Sequence, residues 1–144
     1  MKLFSQDTKI RALRRAPLFD GLSKKELAAL ARVSEDMEVE PGKVLVKEGE
    51  AGQEFFMIVD GKVNVTRRGR RVATRGPGDF VGEIALLEDT PRTATVTAEG
   101  PVRFFVLTRK DFRHLLNENP GVERKVLHAL ARRIIELSKD PTLA

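Results

Sequence analysis

Gly82, Glu83 and Arg92 are the residues of this sequence whose types and spacing best suit the binding of a small ligand. Gly82 lets the backbone approach a ligand closely, and residues 83–87 favour a short helix whose first N–H groups would face an anion. Arg92 follows ten residues after Gly82, and its planar guanidinium suits phosphate oxygens. Because Glu83 is acidic, the set suits a ligand that carries hydroxyl donors as well as a phosphate.

These side chains also have a purely structural interpretation. Glu83 could cap the N–H groups of the short helix, and Arg92 could pair with Glu88 or Asp89 at the surface, where an ion pair contributes about 0–1 kcal/mol. For each residue taken singly, the structural and the binding interpretation are both open.

Few other side chains have a type and spacing that would suit catalysis or metal binding. His114 and His128 are the only histidines and lie on different predicted helices, so neither a metal site nor a His-based catalytic triad is indicated. The absence of cysteine excludes disulfides, thiolate nucleophiles and cysteine-ligated metal sites. The run Arg67-Arg68-Gly69-Arg70-Arg71 predicts a basic hairpin tip. Such a tip could contact a partner, lipid headgroups or nucleic acid, but a solvated turn is the simpler interpretation.

The composition is that of one globular domain that attracts anions. A chain of 144 residues can bury one core but is short for two domains, and its net charge of +5 suits nucleic acid or small phosphorylated ligands. With 8 Phe and no Trp or Tyr, stacking surfaces for single-stranded nucleic acid are few. No apolar run approaches the roughly 20 residues that cross a bilayer, and no signal peptide is present, so a cytoplasmic protein without a membrane span is predicted.

The elements that must position these residues are helices at both ends and strands between them. Ser23 with Glu26 is a capping box that opens a helix over residues 24–32, and residues 10–15 predict a short helix before it. Between the ends, short β-favouring runs alternate with Gly, Pro and Asp. The runs are residues 38–39, 44–46, 55–59, 63–66, 71–73, 95–97 and 103–107.

Many short strands at near-regular spacing indicate a sandwich or jelly roll. Asp60-Gly61 is predicted to be a hairpin turn, because Asp-Gly suits the two positive φ angles of a type I′ turn.

Two helices are predicted after the strands. Thr108 caps a helix over residues 110–116, and Asn119 with Pro120 opens the last helix. An apolar stripe follows the last helix at three- and four-residue steps, formed by Val122, Val126, Leu127, Leu130, Ile134 and Leu137. The stripe must cover the mouth of the β-structure, a bound ligand or a second copy of the same helix.

The segment Gly82-Glu83-Ile84-Ala85-Leu86-Leu87, followed by Pro91-Arg92-Thr93-Ala94-Thr95-Val96, closely resembles the phosphate-binding cassette of the cyclic nucleotide-binding domain family. The resemblance, which is to catabolite-activator-like and protein kinase A regulatory-like sensor domains, covers nearly the whole chain. Further matches, in the family's order, are Pro17-Leu18-Phe19-Asp20-Gly21-Leu22-Ser23, Pro41-Gly42, Glu48-Gly49-Glu50-Ala51-Gly52, Asp60-Gly61-Lys62-Val63 and residues 119–133, which resemble a lid helix. Val81 departs from the pattern, since many members carry an aromatic residue there.

The resemblance implies a role for each cassette residue. Glu83 would accept a hydrogen bond from the ribose 2′-hydroxyl, Arg92 would pair with the cyclic phosphate, and the backbone N–H groups of Ile84 and Ala85 would complete the anion site. Thr93 can favour cGMP by bonding the guanine amino group, yet some cAMP sensors share it.

The resemblance implies that the purine base of the nucleotide contacts other parts of the chain. The resemblance places Val72 and Ala73 where a strand could line the base pocket, and Leu137 and Ser138 where the lid helix reaches the purine. The choice between cAMP and cGMP stays open, with cAMP favoured.

The resemblance implies a mainly β fold with flanking helices, a double-stranded β-helix (jelly roll) with a C-terminal lid helix. A single domain over residues 1–144 is expected. Its parts are N-terminal helices at 8–35, a β-roll at 36–108 with the cassette at 80–96, and C-terminal helices at 109–139.

The predicted function is a cyclic nucleotide-binding regulatory sensor rather than an enzyme. Its ligand would be cAMP or cGMP, no cofactor is expected, and the effector protein is not identified. Without a helix-turn-helix after Asp140, direct DNA binding is not expected, whereas a homodimer through the C-terminal helix is plausible.

Two other classes of function compete with this prediction. A cupin-like metal enzyme or a cyclic nucleotide phosphodiesterase needs a cluster of His, Asp or Glu ligands, and two scattered histidines argue against both. A degenerate scaffold that binds no ligand and dimerises through its last helix is the third class.

Overall fold

Two antiparallel four-stranded sheets form the centre of the computed structural model, which describes residues 3–139 except for the side chain of Leu137. The strands are β1 (Glu35–Val39), β2 (Val44–Val46), β3 (Glu54–Asp60), β4 (Val63–Arg67), β5 (Arg70–Arg75), β6 (Phe80–Val81), β7 (Thr95–Ala98) and β8 (Val102–Thr108). One sheet has the order β1-β8-β3-β6 and the other β2-β7-β4-β5. The predicted mainly β jelly roll is confirmed.

The apolar runs of β3 and β8 are continuous because both faces of their sheet are covered. Side chains alternate along a strand, so Phe56 and Phe104 face the other sheet, where they pack with Val63 and Val96. Their neighbours, including Phe55 and Phe105, face the helices and join a second apolar core. The sheet carrying β3 and β8 is therefore the middle layer of the molecule.

Helices flank this middle layer, and most of their predicted boundaries are confirmed. They are α1 (Gln6–Arg14), α2 (Lys24–Val33), α3 (Arg109–Glu118) and α4 (Pro120–Ser138), with short 3₁₀ helices at Pro17–Phe19 and Glu83–Leu86. The Ser23 capping box and the Thr108 cap are both present. α1 begins earlier than predicted, because the Ser5 hydroxyl accepts a hydrogen bond from the N–H of Thr8 and caps the helix there.

The prediction of a hairpin at Asp60-Gly61 is wrong. β3 pairs with β6 and β8, whereas β4 pairs with β5 and β7, so the chain crosses from one sheet to the other at this turn. Only Gly61 has a positive φ (92°), and a Cβ there would lie 2.3 Å from the carbonyl oxygen of Pro101. Glycine is needed at this turn for close approach of the backbone rather than for a type I′ hairpin.

The tight hairpin lies at the arginine-rich run, between β4 and β5. Arg68 and Gly69 both have positive φ, 52° and 78°, as a type I′ turn requires. The predicted basic hairpin tip at residues 67–71 is thereby confirmed, and its side chains are exposed.

The apolar stripe of α4 divides into a buried and an exposed part. Val122 and Val126 are buried in the core of the helices, and Leu130 is partly buried against it. Leu127 and Ile134 are 60% and 64% exposed. The first half of α4 therefore packs on the domain, while the second half projects from it.

Candidate functional site

A cavity of about 440 Å³ opens where the segment 82–94 meets the sheet of β2, β4 and β7. Six of the residues predicted to bind the ligand line it: Gly82, Glu83, Ile84, Ala85, Arg92 and Thr93. Its apolar wall includes Val46, Val65 and Val96. An apolar hollow with a few convergent polar groups is the usual form of a small-molecule site.

Gly82 has to be a glycine for two reasons. Its φ is 89°, in the left-handed region, and it starts the 3₁₀ helix Glu83–Leu86. A Cβ at this residue would lie 2.6 Å from both Nη1 of Arg92 and the carbonyl oxygen of Glu54. The segment therefore turns sharply and lies against the Arg92 side chain.

Arg92 is held below the surface by strand β3. Its side chain is only 9% exposed, and Nη2 donates a 2.8 Å hydrogen bond to the carbonyl oxygen of Glu54, whose carboxylate is 3.7 Å away. The guanidinium also lies 5.9 Å from the ring centroid of Phe56. Since a guanidinium has five N–H donors, most remain for an anion in the cavity.

The charge of Arg92 is opposed by its surroundings. Burial lowers the pKa of Arg92, the Glu54 carboxylate raises it in part, and the nearby positive charge of Arg109 lowers it further. Arginine remains protonated despite such shifts, so the site presents a partly desolvated cation. An anion that reaches it would relieve this unfavourable burial.

Glu83 lies beside Arg92 at the same cavity but is already in contact with two other parts of the chain. Its Oε2 accepts a 3.1 Å hydrogen bond from the N–H of Leu18, and its Oε1 lies 3.7 Å from Nη1 of Arg133 on α4. The N-terminal region and the last helix therefore meet at the acidic residue of the site.

The helix after Gly82 is shorter than predicted, a four-residue 3₁₀ turn over Glu83–Leu86. The N–H of Ala85 donates to the carbonyl oxygen of Gly82 at 3.0 Å within this turn. Ile84 is 54% exposed and Thr93 is also exposed.

The residues predicted to line the base pocket are not brought to this cavity. Val72 is 59% exposed on the outer face of β5, and Ala73, which pairs with Val65, is not among the lining residues. Ser138 is exposed, and its hydroxyl donates to the carbonyl oxygen of Ile134. The side chain of Leu137 lies outside the described part of the chain.

Three site residues were missed by sequence reasoning. Arg75 on β5 and Arg133 on α4 line the cavity, although neither belongs to the segment 82–94. Gly52 makes room for the site, since a Cβ there would lie 1.9 Å from Nε of Arg92. The glycine spacing before β3 was visible in the sequence, but nothing indicated that it faces Arg92.

Neither a metal cluster nor a membrane-spanning helix is found within residues 3–139. No three His, Asp or Glu side chains are grouped so as to hold a metal ion in that range. Across the same residues, no helix is both long and apolar enough to cross a membrane.

Comparison with known proteins gives one consistent family. The family model described as "Cyclic nucleotide-binding domain" matches residues 36–119. A cAMP-dependent protein kinase regulatory subunit of Yarrowia lipolytica is 40% identical over 106 residues, which are 72% of this chain and 28% of that protein. A CRP-like cAMP-activated global transcriptional regulator of Mycobacterium tuberculosis is 32% identical over 127 residues, 85% of this chain and 57% of that protein.

A solved structure agrees with these sequence matches. The N-terminal domain of a transcriptional regulator from Streptomyces coelicolor has a TM-score of 0.84 and 33% identity, covering 90% of this chain and 96% of that one. This chain spans less than two thirds of the length of either curated relative.

Proposed function

Since the chain belongs to the cyclic nucleotide-binding domain family, we propose that it is a regulatory sensor domain that binds cAMP in preference to cGMP. The observation that carries the proposal is that a buried cation, Arg92, and an acceptor, Glu83, line the same cavity. A cyclic nucleotide has one anionic phosphate and one ribose hydroxyl to match them. The ligand is bound without being converted, and no metal or other cofactor takes part.

The phosphate binds to Arg92. The hydrogen bond of Nη2 to the carbonyl oxygen of Glu54 fixes the plane of the guanidinium, so less side-chain entropy is lost when the phosphate arrives. Charge-assisted bonds between arginine and phosphate are among the stronger hydrogen bonds in proteins.

The ribose 2′-hydroxyl binds to Oε1 of Glu83. Among residues 3–139 this atom has the 3.7 Å contact with Arg133 and no hydrogen bond, since that distance is longer than a hydrogen bond. A ribose hydroxyl at this position therefore displaces little. A hydroxyl bound to Oε1 also lies next to Arg133, the residue of α4 that contacts Glu83.

The preference for cAMP rests on the relatives, two of which are named for cAMP. Thr93 lies exposed at the cavity, where its hydroxyl could bond the amino group of a guanine. Replacing Thr93 by alanine separates the possibilities, because it removes affinity for cGMP only if this hydroxyl reads the base.

The ligand closes α4 over the cavity as a lid. Arg133 already lines the cavity, while the described side chains beyond it on α4 are exposed. A purine would give this part of the helix an apolar surface to cover. Because the chain has no cysteine, a spin label on Ser138→Cys and another on Arg68→Cys would report the movement as a change in distance on adding cAMP.

The uncovered part of α4 also favours a homodimer. Leu127 and Ile134 are one heptad apart and are 60% and 64% exposed, as in the seam of a coiled coil. We expect Ile134→Glu to convert a dimer to a monomer in analytical ultracentrifugation. The substitution Glu136→Lys, at an exposed residue on the opposite side of the same helix, is the control and should leave the dimer intact.

Calorimetry with cAMP and cGMP tests the binding function itself. We expect Arg92→Ala to weaken binding by about 100-fold or more, since at least two charge-assisted hydrogen bonds are lost, and Glu83→Gln by about tenfold. Chelation of metals by EDTA should leave the Kd unchanged. Arg113→Ala removes an exposed arginine that does not line the cavity and serves as the charge-matched control.

Two results would contradict the proposal. One is the absence of both heat and thermal stabilisation with either nucleotide. The other is equal binding by the Arg92→Ala and Arg113→Ala variants, because a site that uses the buried guanidinium must distinguish them.

A further inference from the structure

Arg109 is a buried arginine that lies behind the cavity and does not line it. It is the first residue of α3 and only 7% exposed. Its Nε donates to the carbonyl oxygen of Ala85 at 2.6 Å, and its Nη2 donates to those of Gly52 at 3.0 Å and Glu88 at 2.9 Å. One guanidinium thus bonds three backbone carbonyl groups from two separate parts of the chain.

Backbone carbonyls, rather than an ion pair, satisfy this buried charge. The carboxylate in contact with Arg109 is that of Asp89, whose Oδ1 is 3.8 Å away on a side chain that is 69% exposed. A surface carboxylate at that distance contributes little. Burying a cation is costly unless its donors are used, so the three carbonyl bonds hold the surrounding loops to one geometry.

The three carbonyl groups belong to the two segments that shape the phosphate site. Ala85 and Glu88 lie in the segment 82–94, on and just after its 3₁₀ turn. Gly52 lies against the guanidinium of Arg92, where any side chain would collide with it. The backbone N–H of Arg109 also bonds the carbonyl oxygen of Gln53 at 2.8 Å, which ties α3 to the same loop.

We propose that Arg109 is a positioning residue that fixes the segment 82–94 relative to the loop at Gly52 and so sets the affinity for the cyclic phosphate without touching it. The inference rests on the proposed function, since it concerns the same ligand. The planar fork of arginine is needed because its donors leave in several fixed directions, whereas a lysine ammonium is a single point. Lysine should therefore replace Arg109 only in part.

The test compares Arg109→Lys and Arg109→Met with Arg113→Met. Arg113 lies one turn further along α3 and donates to Leu87 of the same segment, but at 3.4 Å and from an exposed side chain. We expect the Kd for cAMP to rise roughly tenfold in Arg109→Lys and roughly 100-fold in Arg109→Met, and less than about threefold in Arg113→Met.

The phosphorus-31 chemical shift of bound cAMP distinguishes positioning from general loss of stability. A displaced phosphate site should change this shift in Arg109→Lys, whereas the control should leave it unchanged. Thermal unfolding identifies variants that do not fold. If Arg109→Met is unfolded, the test is decided by Arg109→Lys, which keeps the positive charge.

The outcomes separate the inference from the proposed function. If the unsubstituted chain binds no cyclic nucleotide, both are overturned. If the unsubstituted chain binds and Arg109→Lys binds equally tightly, or binds weakly with an unchanged phosphorus shift, the proposed function stands and the positioning role is overturned.

Discussion

Replacing Gly52 by alanine is predicted to weaken nucleotide binding by moving Arg92 while the fold stays intact. A Cβ at residue 52 would lie 1.9 Å from Nε and 2.3 Å from Cζ of Arg92. Gly52 is not among the glycines with positive φ, so alanine can adopt its backbone conformation. The clash is relieved most easily by the flexible arginine side chain, which must leave its position.

The size of the effect follows from the contacts that Arg92 would lose. Its 2.8 Å bond to the carbonyl oxygen of Glu54 would break, and the guanidinium would no longer face the phosphate. A hydrogen bond to a charged group contributes about 1.5–3 kcal/mol, and each 1.4 kcal/mol changes a dissociation constant about tenfold. We therefore expect the Kd for cAMP to rise roughly 10- to 150-fold for each phosphate bond lost. The free energy of unfolding should fall by no more than the contribution of the one bond to Glu54, about 1.5–3 kcal/mol.

Calorimetry with cAMP and thermal unfolding measure the two quantities separately. Gly100→Ala is the matched control, because nothing lies within 4 Å of a Cβ there and its φ is not positive. Combining Gly52→Ala with Arg92→Ala should weaken binding little beyond Arg92→Ala alone, since both remove the same contact. The reasoning is refuted if Gly52→Ala binds cAMP as tightly as Gly100→Ala while Arg92→Ala loses binding.

Two further predictions concern the stability of the fold. Gly61→Ala should destabilise the protein more than Gly69→Ala in chemical denaturation, because both have positive φ but only Gly61 has a backbone oxygen within 2.3 Å of the added Cβ; equal losses would contradict the close crossing of the sheets. The hydrogen bond from Lys125 lowers the pKa of Glu26 below its ordinary value of 4.5, so this contact stabilises the fold above about pH 4.5 and is lost as the pH falls through the folded-state pKa. Lys125→Met should therefore lower the unfolding midpoint at pH 7, and the difference from the unsubstituted chain should shrink towards pH 3; a constant difference would show that ionisation of Glu26 is not involved.

Helix boundaries were predictable from the sequence because their causes are local. The Ser23 capping box joins residues three apart, and the Thr108 cap does the same, so a short window of sequence contains the whole interaction. The β-favouring runs at residues 55–59 and 103–107 likewise indicated the strands β3 and β8. These features follow from chain geometry and side-chain periodicity alone.

Strand pairing was not predictable in the same way. Asp60-Gly61 has the composition of a hairpin turn, yet the strands on either side pair with β8 and β7, whose paired residues lie 29 to 54 positions further along the chain. The true hairpin at Arg68-Gly69 was predicted as a basic tip between two short strands. Which strands become neighbours depends on the burial of distant side chains, to which a local turn preference contributes little.

In the candidate site, too, the residues close in sequence were predictable and the contacts between distant residues were not. Gly82, Glu83 and Arg92 are close in sequence, so their types and spacing could indicate a candidate binding segment before the fold was known. Only the tertiary structure placed Arg133 against Glu83 and Arg109 behind the segment, since these contacts join residues brought together by packing of α3 and α4. The sequence was enough to predict which groups would bind a ligand, because they lie on one short stretch of backbone. The tertiary structure decided what holds those groups in place, because the supporting contacts come from residues that meet only after the core has formed.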